Sequence, residues 1–228
     1  MSDEKTTRHF IEELQRLKER LLEMGDLATS RIDRAVSGLT SRDPVILGDV
    51  IQGDESINAL QIELDDRCFK LLALRQPMAT DLRLIMSTTR ITSDLERVGD
   101  LAVNVAEAAA RYIQYPPVKP LIDLPKMSEF AQQMLRDALS SFVSGEVSLA
   151  SDVLKRDDAL DDLKRQVFQD LLTYMLNNPD LVAPALDLVL ISRHLERVGD
   201  HATNIAEDII FLVEGRDVRH QTSRFAAS

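Results

Sequence analysis

The strongest constraint on the fold is an internal repeat. Leu95, Glu96, Arg97, Val98, Gly99, Asp100, Ala102, Asn104, Ala106 and Glu107 recur as Leu195, Glu196, Arg197, Val198, Gly199, Asp200, Ala202, Asn204, Ala206 and Glu207, ten identities at an offset of 100. Upstream, Val50 through Asp54 and Glu55 aligns with Val153 through Asp157 and Asp158 at an offset of 103, so the later half is three residues shorter between the two segments. Chance does not produce that pair of alignments. Such a chain folds as two copies of one unit, and each copy is expected to repeat the structure of the other.

The unit is helical. Over residues 9–39 the apolar side chains Phe10, Leu14, Leu17, Leu21, Met24, Ala28, Ile32 and Ala35 return every three or four positions, which lines one face of a helix. Ile57, Leu60, Leu64, Cys68, Leu71 and Leu72 predict a second helix over 44–75, and Ile91, Leu95, Val98, Ala102, Val105 and Ala109 a third over 77–112. Residues 115–125 hold four of the eight prolines, cannot continue a helix and read as a linker. The pattern then restarts, with helices predicted over 126–143, 146–176 and 181–214. The expected fold is therefore all-α: a first three-helix bundle at 9–113, a Pro-rich linker at 114–125, a second bundle at 126–214 and a flexible tail at 215–228. With 44% apolar residues in 228 the chain can bury such cores, and with 4% aromatics, no Trp and eight Gly it is poorly suited to a β-sandwich or barrel.

Charge and cysteine content exclude several roles. Lys and Arg number 27 against 38 Asp and Glu, a net charge of -11 that repels nucleic acid and anionic lipid unless the cations cluster, and no cluster is visible in the sequence. Cys68 is the sole cysteine, so an intrachain disulfide is impossible and a reducing, cytoplasmic compartment fits best. The first nine residues are polar, with no signal-like apolar segment behind them, and no apolar run approaches the roughly 18 residues of a membrane span.

Chemistry is most plausibly carried by the repeated segment. Glu96, Asp100 and Asn104 are spaced four apart, each lagging the last by about 40° around the helix, and they form one stripe of oxygens extended by Glu107. Glu196, Asp200, Asn204 and Glu207 repeat it. With Ile91 as zero, Asp100 lies about 180° from the apolar cluster at 100° per residue, so the stripe is expected to face away from its own bundle's core. Asp54, Glu55 and Asn58 on the second helix, and Asp157, Asp158 and Asp161 on the fifth, form a matching shoulder. Carboxylates brought together by two such helices repel unless a cation lies between them, and oxygen ligands without thiolate suit Mg, Ca, Mn or iron better than Zn.

Acids at i and i+4 are also common on plain solvated faces, where pairs such as Glu107 with Arg111 and Arg193 with Glu196 are ordinary surface ion pairs. Two features argue for more than that. The stripe occurs twice, and each copy contains a glycine, Gly99 or Gly199, that costs about 1 kcal/mol relative to Ala inside a helix. A repeated costly glycine implies close backbone approach, to a neighbouring helix in preference to a ligand. His194 and His201 border the second stripe, but their counterparts are Asp94 and Leu101, so both read as surface or shoulder histidines. No nucleophilic triad or phosphate-cradling Gly-rich loop is evident.

The run from Ala73 through Arg75, Gln76, Pro77, Met78 and Ala79 to Arg83, the two Glu-Arg-Val-Gly-Asp copies at Glu96–Asp100 and Glu196–Asp200, and the tandem organisation together resemble the PhoU family of accessory regulators of bacterial phosphate transport. The resemblance spans residues 10–214. It implies two three-helix, spectrin-repeat-like bundles with pseudo-twofold symmetry, forming a cytoplasmic homodimer. It also implies negative control of high-affinity phosphate uptake and of the phosphate-starvation two-component response. The implied partners are the ATPase of the phosphate ABC transporter and the phosphate-sensing histidine kinase, so that the membrane is reached only through them and nucleic acid is not bound. No enzymatic activity is implied. Metal binding in the family uses paired acidic motifs, which map onto Glu96 with Asp100, Glu196 with Asp200, Asp157 with Asp161, and Asp54 with Asn58. Asn104 and Asn204 extend the two stripes. The expected metal is iron, then Mn, Mg, Ca or Zn. Because Asn58 stands where a second Asp is expected, the first-half site is expected to bind more weakly.

Two rival readings remain at this level. A carboxylate-bridged di-metal enzyme of the ferritin-like kind uses inward Glu-x-x-His motifs, yet no acid of the repeated stripe has a histidine three residues on. A metal-free helical adaptor shares the fold and differs only in leaving the acids solvated.

Overall fold

The computed structural model describes residues 2–53, 55–75 and 77–219, with side chains from His9 onward. Seven α-helices are present among them: α1 (Ser2–Ser41), α2 (Pro44–Gln52), α3 (Glu55–Arg75), α4 (Ala79–Tyr112), α5 (Asp123–Ser144), α6 (Val147–Asn177) and α7 (Val182–Glu214). A 3-10 turn at Pro179–Leu181 precedes α7, and no strand occurs among the described residues. The predicted flexible tail lies beyond residue 219 for most of its length, outside the described residues.

Local chemistry sets the helix ends. Asp43, in extended conformation, accepts from the Val45 and Ile46 amides and starts α2, with Pro44 in the first turn where its missing N–H has no partner to lose. Helix α5 begins at Asp123 and not at the predicted 126, because Pro125 falls at the third position of the first turn, where an amide needs no intrahelical acceptor. Pro184 enters the first turn of α7 in the same way.

The predicted continuous second helix over 44–75 is instead two helices. Helix α2 ends at Gln52 and is capped by Gly53, and α3 begins at Glu55. Arg31 of α1, 7% exposed, reaches into the break and donates to the Gly53 and Val50 carbonyls at 2.6 Å each. The guanidinium thus satisfies carbonyls that the interrupted helix leaves without amide partners. In the second half the equivalent stretch runs unbroken through α6.

Helices α1, α2–α3 and α4 pack as one group and α5, α6 and α7 as another, while α4 packs along α7 and α1 along α5. Leu17, Leu21, Ile32, Leu64, Ile91 and Leu95 join Met134, Leu135, Leu160, Ile191, Leu195 and Ile205 in one continuous core. Helices α4 and α7 are therefore central, each touching both groups. Around α4 the buried positions reach from Ile85 to Ala108, an arc of about 220° at 100° per residue, wider than a helix serving one bundle needs.

The α4–α7 seam carries buried polar side chains, with Ser87, Asp187 and Asp208 among them. Arg111 Nε donates to Asp187 at 2.9 Å, Arg90 Nη1 to Asp208 at 3.0 Å, and Ser87 Oγ to the Asp208 carbonyl at 3.2 Å. Arg111 thus crosses to the other half. The Pro-rich segment is packed down: Tyr112 is fully buried, its hydroxyl accepts from the Val118 amide at 3.3 Å, and Val118 is itself 9% exposed. Arg42 stacks over the Tyr112 ring at 5.5 Å and donates to the Ile113 carbonyl at 2.7 Å, holding both ends of the turn to α1. Among the described residues no helix is long and apolar enough to cross a membrane.

Candidate functional site

The acidic shoulder of α6 faces the repeated stripe of α7, since the two helices pack together. Gly199 makes this close approach possible: a Cβ there would lie 2.4 Å from Leu160 Cδ2, and Leu160 is fully buried one residue before Asp161. The repeated glycine, in this copy, is a helix-packing residue, and it brings Glu196 within reach of α6.

At that contact the Lys164 ammonium bridges the two helices. It donates to Asp161 Oδ1 at 2.7 Å on its own helix and to Glu196 Oε1 on α7. Glu196 pairs with Lys164, and not with Arg193 as sequence spacing suggests. The Glu196 side chain is 16% exposed and that of Asp161 43%, so the pair straddles the edge of the core. The Lys164 hydrogen bond holds the Asp161 carboxyl below its ordinary range, whereas burial pushes Glu196 up. Burial works against the Lys164 charge, but its bonds to Asp161 and Glu196 outweigh that, and its pKa is raised.

Asp157 and Asp200 complete the cluster. Burial, then repulsion from Asp200, Asp161, Asp158 and Glu196, raises the Asp157 carboxyl to about 6. Asp200 is raised by burial and by Asp161. Four carboxylates, Asp157, Asp161, Glu196 and Asp200, thus repel one another around a single ammonium.

The ordinary pKa of Asp157 is 3.8, so the unfolded chain releases this proton before the folded chain does. Stability therefore falls as pH rises from that value to about 6, and the deficit persists above. Asp157→Asn is expected to raise stability by about 1 kcal/mol at about pH 7.5 without divalent ions, after allowance for solvent screening, and by almost nothing near pH 4. Urea unfolding at the two pH values measures the difference.

In the first half the partner helix is α3. Glu96, 17% exposed, and Asp100, 39% exposed, both pair with Arg97 of their own helix, at 3.4 and 3.1 Å. Asn58 is partly buried on the facing surface of α3, and Glu55 is exposed. Asp54, predicted to lie opposite Glu96 and Asp100, is outside the described residues.

Asn204 leaves the stripe. Asn204 Nδ2 donates to Asp94 Oδ1 at 3.2 Å across the α4–α7 seam, and the same oxygen lies 2.8 Å from His201 Nδ1. Two successive 40° lags rotate Asn204 about 80° from Glu196, which takes it off the α6 side of the helix and onto the α4 side. Asn104, partly buried, occupies the matching angle on α4. The expectation of one outward stripe is corrected accordingly: Glu196 turns toward α6, Asp200 toward solvent and Asn204 toward the other half. His201 is likewise a seam residue, 15% exposed, and not a surface histidine. Burial, then Arg197, Arg193 and Arg111, lowers the pKa of His194 and keeps it neutral.

Among the described residues no group of three or more His, Cys, Asp or Glu side chains is placed so that it could hold a metal ion. The donor chemistry of the α6–α7 cluster nevertheless fits a hard cation: its oxygens come from two facing helices, their repulsion raises Asp157, and a positive group already bridges two of them. Sequence reasoning missed Lys164. The alignment contains its signal, since at the offset of 103 the residue opposite Lys164 is Gln61, a charge added to only one copy.

Residues 21–109 and 124–209 each match the family described as PhoU domain. The chain is 40% identical over 212 residues to a phosphate-specific transport system accessory protein PhoU homolog of Aquifex aeolicus, covering 93% of this chain and 96% of that protein. It is 35% identical over 219 residues to the homolog from Caulobacter vibrioides, covering 96% and 95%. The crystal structure of PhoU from Pseudomonas aeruginosa superposes with a TM-score of 0.87 at 35% identity, covering 91% of this chain and all of that one. A phosphate transport system regulatory protein PhoU from Streptococcus pneumoniae superposes at 0.83 with 29% identity, covering 92% and 99%.

Proposed function

This chain belongs to the PhoU family, and from that premise we propose that it is a regulatory accessory protein of phosphate transport, a negative regulator of high-affinity uptake and of the phosphate-starvation response. The observation that carries the reading is similarity along nearly the whole length of both chains, with the family match falling on both halves. The protein acts by docking and catalyses no reaction. Its partners are the transporter ATPase and the sensor histidine kinase, it works as a cytoplasmic homodimer, and long rigid helices offer these partners extended faces. A regulator of this kind needs only to bind one conformational state of its partner more tightly than another.

The α6–α7 cluster and its α3–α4 counterpart hold hard cations, iron first among them. Asp157, Asp161, Glu196 and Asp200 hold the second-half ion; Asp54, Asn58, Glu96 and Asp100 hold the first-half ion. The cation cross-links two helices and relieves the repulsion that raises Asp157.

Deleting the gene in its host is the direct test. Phosphate uptake and phosphatase expression are expected to rise in phosphate-replete medium. Wild-type levels of both in the deletion strain would reject the regulatory reading.

A further inference from the structure

We propose that Lys164 is a built-in counter-ion of the second-half cluster, which a divalent cation must displace from Asp161 and Glu196 in order to bind. The inference deepens the metal reading above and rests on it.

The geometry assigns Lys164 this position. Its ammonium is the one group bonded to a cluster carboxylate on each of the two helices, Asp161 on α6 and Glu196 on α7. That is where a divalent ion would draw its charge compensation. The other half differs at both positions: Asn58 aligns with Asp161 and Gln61 with Lys164. The carboxylate missing from the first half is therefore matched by an ammonium present only in the second. Asp54, Glu96 and Asp100 are three acids and Asp157, Asp161, Glu196 and Asp200 are four, and Lys164 offsets the one acid by which the second cluster exceeds the first. The extra acid that promised a tighter second site is cancelled within its own cluster.

The first half has a cation too, but in another role. Arg97 is 59% exposed and contacts Glu96 and Asp100 from within α4, at the rim. Its counterpart Arg197 makes no hydrogen bond to a carboxylate among the described residues, since Glu196 is already bonded to Lys164. Lys164 also has somewhere to go. It borders an open groove of about 610 Å³ between α6 and α7, whose lining holds Arg165, Arg193 and Arg197 together with two of the cluster acids, Glu196 and Asp200, so a displaced ammonium turns into open space. Its side chain is already 33% exposed, and no backbone movement is required to release it.

The test uses the full chain carrying Glu96→Gln and Asp100→Asn, which confines Mn2+ binding to the second cluster. Free Mn2+ is read from its paramagnetic resonance signal. Lys164→Gln, which installs the residue of the first half, is expected to tighten Mn2+ binding about tenfold, because a like charge within hydrogen-bonding distance of the ligands is removed. Lys164→Arg, which keeps the charge, is expected to leave affinity near the parent value. In metal-free buffer Lys164→Gln is expected to melt below the parent, with Mn2+ reversing the loss. Unchanged or weaker Mn2+ binding by Lys164→Gln, with binding by the parent intact, overturns the counter-ion role and leaves the metal reading standing. Absence of Mn2+ binding in parent and variant alike overturns both.

Discussion

Replacing Glu196 and Asp200 together by Gln and Asn is expected to weaken Mn2+ binding at the second cluster at least about a hundredfold, while Asn204→Ala leaves it unchanged. A hard cation is held by carboxylate charge, and an amide of the same shape offers only a dipole, so each replacement costs about tenfold or more. Both side chains reach solvent, and the double variant also relieves repulsion on Asp157, so folding is expected to survive and circular dichroism to remain that of a helical protein. The asparagine arm distinguishes the structure from the simple repeat pattern. Asn204 shares the four-residue spacing of the stripe, yet its amide bonds Asp94 across the α4–α7 seam. Mn2+ titration with elemental analysis reads both arms; a large loss from Asn204→Ala would mean that the seam and the cluster are not separate.

Tyr112→Ala is expected to lower stability by about 3–5 kcal/mol, the range for emptying a fully buried aromatic site. Among the described residues Tyr112 is the largest fully buried side chain, and its hydroxyl and ring hold the Pro-rich segment through the Val118 amide and Arg42. The ring therefore joins the end of α4 to the connection that leads into α5. For a chain of this size the loss corresponds to roughly 6–20 °C in Tm. Tyr112→Phe keeps the ring and removes only the hydroxyl that accepts from Val118, and is expected to cost about 1 kcal/mol. Calorimetry on the three proteins tests the assignment: equal losses for Ala and Phe would place the whole effect in the hydroxyl and contradict the packing role.

A large part of the architecture was readable from residue order. The three- and four-residue recurrence of Leu14, Leu17, Leu21 and Met24 reports a helix because neighbours on a helix face are set by local geometry alone. The ends of α4 and α7 lie within two residues of the predicted limits for the same reason. The break at Gly53 was not readable, because Gly53 is one ordinary helix-tolerated residue until Arg31, more than a turn of chain away, supplies the buried donors that stabilise the interruption. Nor was the width of the buried arc on α4. A periodic pattern shows that a face is apolar; it does not show that two such helices will be packed against each other as well as against their own bundles.

The candidate site divides along the same line. Glu96, Asp100, Glu196, Asp200, Asp157 and Asp161 were identifiable because a duplication repeats them, and repetition is a property of the sequence. Lys164 and the pairing of Asp94 with His201 are single-copy features that repetition hides.

Sequence alone determined that this chain is two tandem helical units, where the greater part of each long helix runs, and which acids are shared between the copies, since all of these follow from identity and from spacing along one chain. Only the tertiary structure decided which neighbour each acid meets. A lag of about 40° per four residues spreads one stripe over three surroundings, and whether a given angle faces α6, solvent or α4 depends on how separate helices pack, which no local period encodes.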